Sequence, residues 1–485
     1  MPVSPPAIVW FREDLRLADN PAIAAAIELG GPVVCVYVRE AGLEGARPLG
    51  GASLWWLDKS LRAFSDSLEA IGGQLVLRTG KAGEVLPALV KETGAQAVFW
   101  NRRYGEPERS QDAAIKASLR GAGLRAESFN ARLLMEPWEL KTGAGGWYRV
   151  FTPFWRALQA AYAPAPALPA PSRLKSIKAE SEALSGWGWH PTGPDWSAGL
   201  ADMWTPGEAG ARARLEEFLD GPINQYAENR NRPDEARSTS RLSPHLRFGE
   251  IGPAQIWRAV KDGIDAGRYD ERNAMVFLSE IAWREFSNVL LHFNPDLARA
   301  NYNPSFDQMP WRKDKNALTA WARGQTGYPM VDAGMRELWH TGWMHNRVRM
   351  IAASFLCKHL LLPWQAGEEW FWDTLVDADP AANAASWQWT AGSGADAAPY
   401  FRVFNPISQG SKFDVTGGYV RRWCPELSRL PDKFLHAPFE APGNVLADAG
   451  IELGKTYPKP IVDHSAARER ALDAYKQTRQ EQGAE

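Results

Sequence analysis

Short apolar runs separated by amphipathic stretches fill the first third of the chain. Ala7 to Phe11, Pro32 to Val38, Gln74 to Leu77, Gln96 to Asn101 and Leu124 to Asn130 read as buried strands. Between them apolar positions recur at helical spacing near Asn20 to Leu29, Ser53 to Ile71, Ala82 to Thr93 and Glu108 to Gly121. That alternation implies a Rossmann-like, doubly wound parallel α/β sheet. From Ala163 to Ser197 periodicity gives way to Pro, Ser, Gly and Ala, the composition of a long surface linker. Beyond it only helical patterns recur. The pattern predicts an α/β domain over 1–135, a linker over 136–200 and an all-α domain over 201–485. There is no internal repeat, and the end after Tyr475 reads as polar and frayed.

A length of 485 residues suits two or three domains. No run of roughly 18 apolar residues and no signal-peptide order occurs, so the expectation is a cytoplasmic, monomeric protein away from membranes. Cys35, Cys357 and Cys424 form no CxxC pair, which argues against zinc, iron–sulfur clusters and disulfides and for buried, reduced thiols. A formal charge of −2 means that any nucleic-acid face must be local. The 23 tryptophans are more indole than packing alone selects, since Phe or Leu fills space without a buried N–H to satisfy. A Trp-rich helical core is the plain alternative.

Familiar nucleotide motifs fail. Gly392-x-Gly394-x-x-Ala397 follows a helical stretch instead of a strand and reads as a turn; there is no Walker A sequence and no HExxH. Thr239-Ser240-Arg241-Leu242-Ser243-Pro244 reads as an N-cap (Ser243) and N1 (Pro244) pair, with hydroxyls and Arg241 at a helix start that suits phosphate or merely caps a helix. Asp377 to Trp389 opens another helix with Asp379 as N-cap; Asn383 and Trp387 share a face, and Trp389 is turned about 200° from Trp387. Glu280, Trp283 and Arg284 project to one side of a helix, and Trp343, Asn346, Arg347 and Met350 fall along one stripe with Arg349 beside Asn346. Any one set could be ion-paired core; three together favour a wet functional cavity.

At these residues the chain resembles the photolyase and cryptochrome family over essentially its whole length. The resemblance is carried by Trp10-Phe11-Arg12-Glu13-Asp14-Leu15-Arg16, Thr239 to Ser243, Trp283-Arg284-Glu285-Phe286, Thr326-Gly327-Tyr328-Pro329, Gly342 to Arg347, Asp377 to Trp389 and Pro399-Tyr400-Phe401-Arg402. It implies an α/β antenna domain and a helical FAD-binding domain that repairs cyclobutane pyrimidine dimers in ultraviolet-damaged DNA with light. By resemblance Tyr226, Thr239, Ser240, Arg241, Leu242, Ser243 and Arg284 hold the FAD pyrophosphate. Trp343, Asn346, Arg349, Asp377, Asp379 and Asn383 surround the isoalloxazine, with Asn383 toward N5, and Phe277 stands where the family commonly has Trp. Glu280, Trp283, Asn346, Met350 and Trp389 match the pocket for the flipped-out dimer, and Arg230, Arg347 and Arg402 the phosphate contacts. Trp387, Trp364 and Trp311 match an electron relay.

Histidines stand at Asn346 and Met350 in relatives that repair 6-4 photoproducts, so the resemblance points to cyclobutane dimers. Gly50 to Leu57 and Glu108 suggest a 5,10-methenyltetrahydrofolate antenna, although Pro107 departs from the folate-binding pattern and leaves a deazaflavin, or no antenna, open. The rival readings are a cryptochrome-like blue-light photoreceptor and a flavin-free nucleotide-binding adaptor.

Overall fold

The computed structural model describes residues 4–40, 42–235, 237–396 and 401–482, so Ala397 and the Pro399-Tyr400 pair lie outside the described residues. By contact the chain falls into two compact units, residues 1–224 with 240–295, and residues 225–239 with 296–485. The sequence division at 135 and 200 marks a different quantity, the change of secondary-structure class.

In the first unit, β1 (Ala7–Phe11), β2 (Val33–Glu40), β3 (Leu75–Gly80), β4 (Ala97–Asn101) and β5 (Arg125–Phe129) form a wholly parallel sheet in the order β3-β2-β1-β4-β5. The central strands β1 and β4 and most of β2 are apolar because helices cover both faces, whereas the edge strand β5 reads Arg-Ala-Glu-Ser-Phe. Ile8, Trp10, Val34, Val36, Val98 and Trp100 pack with Leu86, Leu89, Ile115 and Leu119 from the helices Ala82–Thr93 and Glu106–Gly121. The expected strands and helices are all present, with ends shifted by a few residues at most.

The predicted linker is not loose chain. It contains the helix Phe151–Ala161, and further on Val33 N–H donates to the Lys175 carbonyl at 2.8 Å while Glu182 N–H donates to that of Leu77 at 2.9 Å. A Pro-rich segment can lie along a sheet edge in this way, satisfying backbone groups without forming a strand.

The Trp10 to Arg16 motif joins the sheet to the helical part of the same unit. Arg16, 1% exposed, donates to four carbonyls, those of Ala18, Asp19, Ala131 and Gly249. Arg12 pairs with Asp112 at 2.8 Å, and Glu13 pairs with Arg132 and Arg247.

In the second unit the helices include Pro329–Thr341, Asn346–Ser354, Trp364–Thr374, Ala382–Ala391, Pro406–Phe413 and His464–Gln482. Thr326 to Pro329 is an anchor: Asp332, fully buried, accepts from Thr326 N and Oγ1, Gly327 N and the Tyr457 hydroxyl. The expectation of fraying after Tyr475 is corrected. The last helix runs to Gln482, and Thr478, 2% exposed, reaches Met309. Polar composition misled there because one face of this helix, Ala467, Ala471 and Ala474, is small enough to pack closely. The three cysteines are buried and free, as expected.

Candidate functional site

The richest cluster of the second unit begins at the start of the helix Ala382–Ala391. Asp379 Oδ1 accepts from Ala381 N and Ala382 N, both at 2.9 Å, so its carboxylate caps the turn leading into the helix, whose N-cap is Ala381, two residues later than the sequence placed it. One turn on, Asn383 Nδ2 donates to the Glu368 carbonyl at 3.2 Å and to its Oε1 at 2.8 Å. A carbonyl only accepts, so this contact fixes the amide orientation and presents Oδ1 as an acceptor on the other side. Glu368 is 2% exposed and lies on the helix Trp364–Thr374. Sequence reasoning missed it, because two residues 15 apart on different helices carry no shared periodicity.

Arg349 donates to Asp377 at 2.8 Å and to the Met344 carbonyl at 2.7 Å, and its guanidinium lies 5.9 Å from the Trp343 ring centre. The side chain of Asp377 is 3% exposed and that of Arg349 25%, so the cation faces outward from a buried carboxylate. An acceptor amide, a partly open guanidinium and a buried indole suit a planar ligand that carries N–H and anionic character.

The expectation that Trp343 shares a helical stripe with Asn346, Arg347 and Met350 is corrected. The helix starts at Asn346, with His345 Nδ1 accepting from Arg347 N at 3.2 Å, and Trp343 lies in the connection after the left-handed Gly342. A left-handed glycine ends the preceding helix and breaks the 3.6-residue register. Asn346 is exposed and Met350 half-buried.

Arg347 donates to Asn231 Oδ1 at 2.8 Å and sits 4.4 Å over the Phe413 ring. Arg230 lies over Tyr226, itself 6% exposed, and Arg402 over Phe404. Burial, then the charges of Arg230 and Arg402, push Arg347 down to about 10. Among the described residues no carboxylate lies within ion-pair distance of Arg347 or Arg402. Such a cluster repels itself and attracts a polyanion.

Trp387 is 2% exposed, with its ring against Phe371 at 5.0 Å and Trp321 at 6.1 Å. It rests on Gly367, where a Cβ would overlap the indole. Trp364 is fully buried and donates to Asn301 Oδ1 at 2.8 Å; Trp311 is half-buried against the cluster of Phe306, Met309 and Phe401. Trp389 donates to the Asp396 carbonyl at 3.1 Å, and Gly392 is the left-handed C-cap of its helix, as the turn reading expected.

In the first unit, Glu280, Trp283 and Arg284 lie half-buried on the helix Glu271–Phe293, with Phe277, 3% exposed, packed on Phe218. Trp283 stacks on Phe151 at 3.7 Å, which holds one indole face; Phe151 was not singled out in the sequence. Arg284 donates to the Arg132 carbonyl at 2.7 Å and pairs with Glu285. Glu285 accepts from Leu134 N at 2.6 Å, and burial pushes its carboxyl up to about 7.

The capping role read for Ser243 is corrected. The helix Ser243–Phe248 already includes Ser243, its N-cap is Leu242, and no side-chain cap is made. The turn is instead set by Arg241, whose φ of +52° is a strained left-handed conformation. Ser240 is half-buried there, and Thr239 is half-buried in the second unit. Glu108 lies in the first turn of the helix Glu106–Gly121, its carboxylate folded over Gly105.

Among the described residues no helix is long and apolar enough to cross a membrane, and no group of three or more His, Cys, Asp or Glu could hold a metal.

Comparison with known proteins agrees with this chemistry. The family model described as DNA photolyase matches residues 7–172, and that described as the FAD binding domain of DNA photolyase matches residues 277–477. The chain is 56% identical to a deoxyribodipyrimidine photo-lyase of Agrobacterium fabrum, covering 97% of each. It is 40% identical to Cryptochrome-1 of Arabidopsis thaliana, covering 97% of this chain and 70% of that one. The crystal structure of a bacterial class III photolyase from Agrobacterium tumefaciens superimposes with a TM-score of 0.95 at 54% identity, over 98% of each chain. Matched along nearly all its length, the chain belongs to the DNA photolyase family, which uses FAD and light to repair DNA.

Proposed function

We propose that this chain reverses cyclobutane pyrimidine dimers in DNA, and that the dimer is drawn out of the duplex to be repaired. The observation that carries the DNA part is the arginine cluster, in which burial and then the charges of Arg230 and Arg402 push Arg347 down to about 10. When bound, FAD supplies the light-driven electron; the protein supplies geometry and charge. Asn383, its amide turned by Glu368, offers Oδ1 to an N–H of the flavin ring. Arg349 balances negative charge on the ring while Asp377 offsets the cost of its own partial burial. Asp379, Trp343 and Asn346 complete that wall.

The family resemblance assigns Tyr226, Thr239, Ser240 to Ser243 and Arg284 to the pyrophosphate, and Phe277 to the cofactor. Arg284 meets it with the donors not used on Arg132 and Glu285.

Arg230, Arg347 and Arg402 bind backbone phosphates of the damaged strand. Stacking on Trp283 and Trp389, worth roughly 1–3 kcal/mol per base, helps offset the cost of unstacking the dimer. The family resemblance assigns Asn346 and Met350 to the dimer as well, and Glu280 to hydrogen bonds with its carbonyls. Trp387, Trp364 and Trp311 pass electrons inward from the surface, in keeping with two buried indoles and one half-buried. Glu108 marks the site of a 5,10-methenyltetrahydrofolate antenna, with a deazaflavin or no antenna as the alternatives.

The test is to illuminate the reduced, flavin-loaded protein with a dimer-containing oligothymidylate and follow the pyrimidine absorbance. Its recovery is expected. Flavin photoreduction without recovery would move the reading to a photoreceptor.

A further inference from the structure

Among the described residues of the second unit, Lys358 is the one buried lysine, and the site above leaves it unused. It lies in Phe355–His359, a π-helical turn that continues the helix carrying Arg347 and Arg349, and such wide turns concentrate at functional places. Only 3% of the residue is exposed. Its ammonium donates to the carbonyl of Arg402 and stands 4.4 Å over the Phe401 ring. Lys358 and Arg402 line one pocket with Trp389, Phe404 and Tyr475.

The charges around Lys358 are of one sign. Cys357 and His359 flank it, and both are held neutral by burial, the first pushed up to about 12 and the second down to about 3. Arg402 faces it from the following segment, and the last helix contributes Tyr475 to the pocket and His464 and Arg470 against His359. On the neighbouring helix Trp364–Thr374, the buried carboxylate is Glu368, which is engaged with Asn383. Among the described residues no carboxylate lies within ion-pair distance of Lys358. A buried cation is costly to keep unless it is paired. Here its partners are uncharged, the Arg402 carbonyl and the Phe401 ring.

We propose that Lys358 is a positioning residue for DNA: charged, it holds the Arg402 backbone in place for phosphate, and bound DNA in turn holds the proton on Lys358. The inference rests on the reading of Arg402 as a phosphate contact. Burial and the charge of Arg402 push the Lys358 amine down to about 8, so the free protein is part-neutral at that pH. Phosphate oxygens nearby favour the ammonium. Binding must then take up protons near pH 8 and very few at pH 6.5, where Lys358 is already charged. By linkage, affinity must fall as pH rises from 7.5 to 9.

The experiment measures dark binding of a dimer-containing duplex to the flavin-loaded protein by calorimetry, in buffers of different ionisation enthalpy. Proton uptake at pH 8 but not at pH 6.5 is expected; equal uptake, or none at either pH, overturns the proposal without any variant. Lys358→Met is expected to bind about fivefold more weakly at pH 7. It should lose the pH dependence above 7.5 and raise KM, leaving kcat, FAD content and photoreduction unchanged. Lys358→Met binding with the wild-type pH profile would refute the role of Lys358. Arg402→Ala separates the two readings: if it weakens binding while Lys358→Met does not, this inference alone fails, and if it has no effect, the phosphate reading of Arg402 fails and takes the inference with it.

Discussion

Two groups of arginines, one in each unit, meet opposite surroundings, although others of the second unit, such as Arg336 with Glu426, are paired. In the first, Arg16 is enclosed by four carbonyls, Arg12 by Asp112 and the Asn101 carbonyl, and Glu13 by Arg132 and Arg247. In the second, Arg347 is held by a neutral amide and an aromatic face, and its charged neighbours Arg230 and Arg402 repel it. The first pattern spends guanidinium donors on the protein itself; the second keeps positive charge for something else. Both begin as Arg in a family-like motif, so the motif alone does not say which kind of arginine it contains. Arg349 stands between the two, neutralised by Asp377 yet a quarter exposed.

The largest test of this contrast is Arg16→Met, which strands carbonyls that now accept from a buried guanidinium. It should lower stability by roughly 3–5 kcal/mol, the cost of breaking a buried charged network. An unchanged urea midpoint would erase the distinction from the structural side.

Next is Glu285, whose folded carboxyl titrates near 7 against an ordinary 4.5. Between those values the native state keeps a proton that the unfolded chain has released. Stability therefore falls as pH rises through about 7, by something on the order of 2–3 kcal/mol. Glu285→Gln should remove that fall, so the gap between variant and wild type in urea unfolding opens from pH 5.5 to pH 8. A constant gap would mean that the carboxylate is fully compensated by Arg284 and the backbone.

Arg347→Met should do what no arginine change in the first unit does. Dark affinity for dimer DNA drops about tenfold and the salt slope falls by about 1, while the melting temperature holds or rises because a repulsion is removed. Destabilisation with intact binding would place Arg347 among the structural arginines. The smallest effect is that of Asp379→Ala, which removes a helix cap worth about 1 kcal/mol; Asp379→Asn should recover most of it in thermal unfolding.

Much of the fold was legible because it depends on local order. Short apolar runs separated by amphipathic helices specify strand and helix before any tertiary contact is made, and all five strands lie where the pattern placed them, with ends shifted by a few residues at most. The cap at Asp379 and the left-handed Gly392 were legible for the same reason, since each is a property of a few consecutive residues. The errors lie where local rules met tertiary demands. Ser243 does not cap because Arg241 takes a left-handed turn just before it, and Trp343 leaves its expected stripe because Gly342 ends the helix.

By itself, then, the sequence determined the order of elements, the change from α/β to α, and the family that its motifs resemble. Only the tertiary structure decided which polar groups neutralise one another. It brought Glu368 to Asn383, Phe151 to Trp283 and Lys358 to Arg402, pairs separated by 15, 132 and 44 positions. Side-chain periodicity reaches about one helical turn, whereas hydrogen bonding and electrostatics act through space, so the partner that gives each of these groups its chemistry cannot be read along the chain.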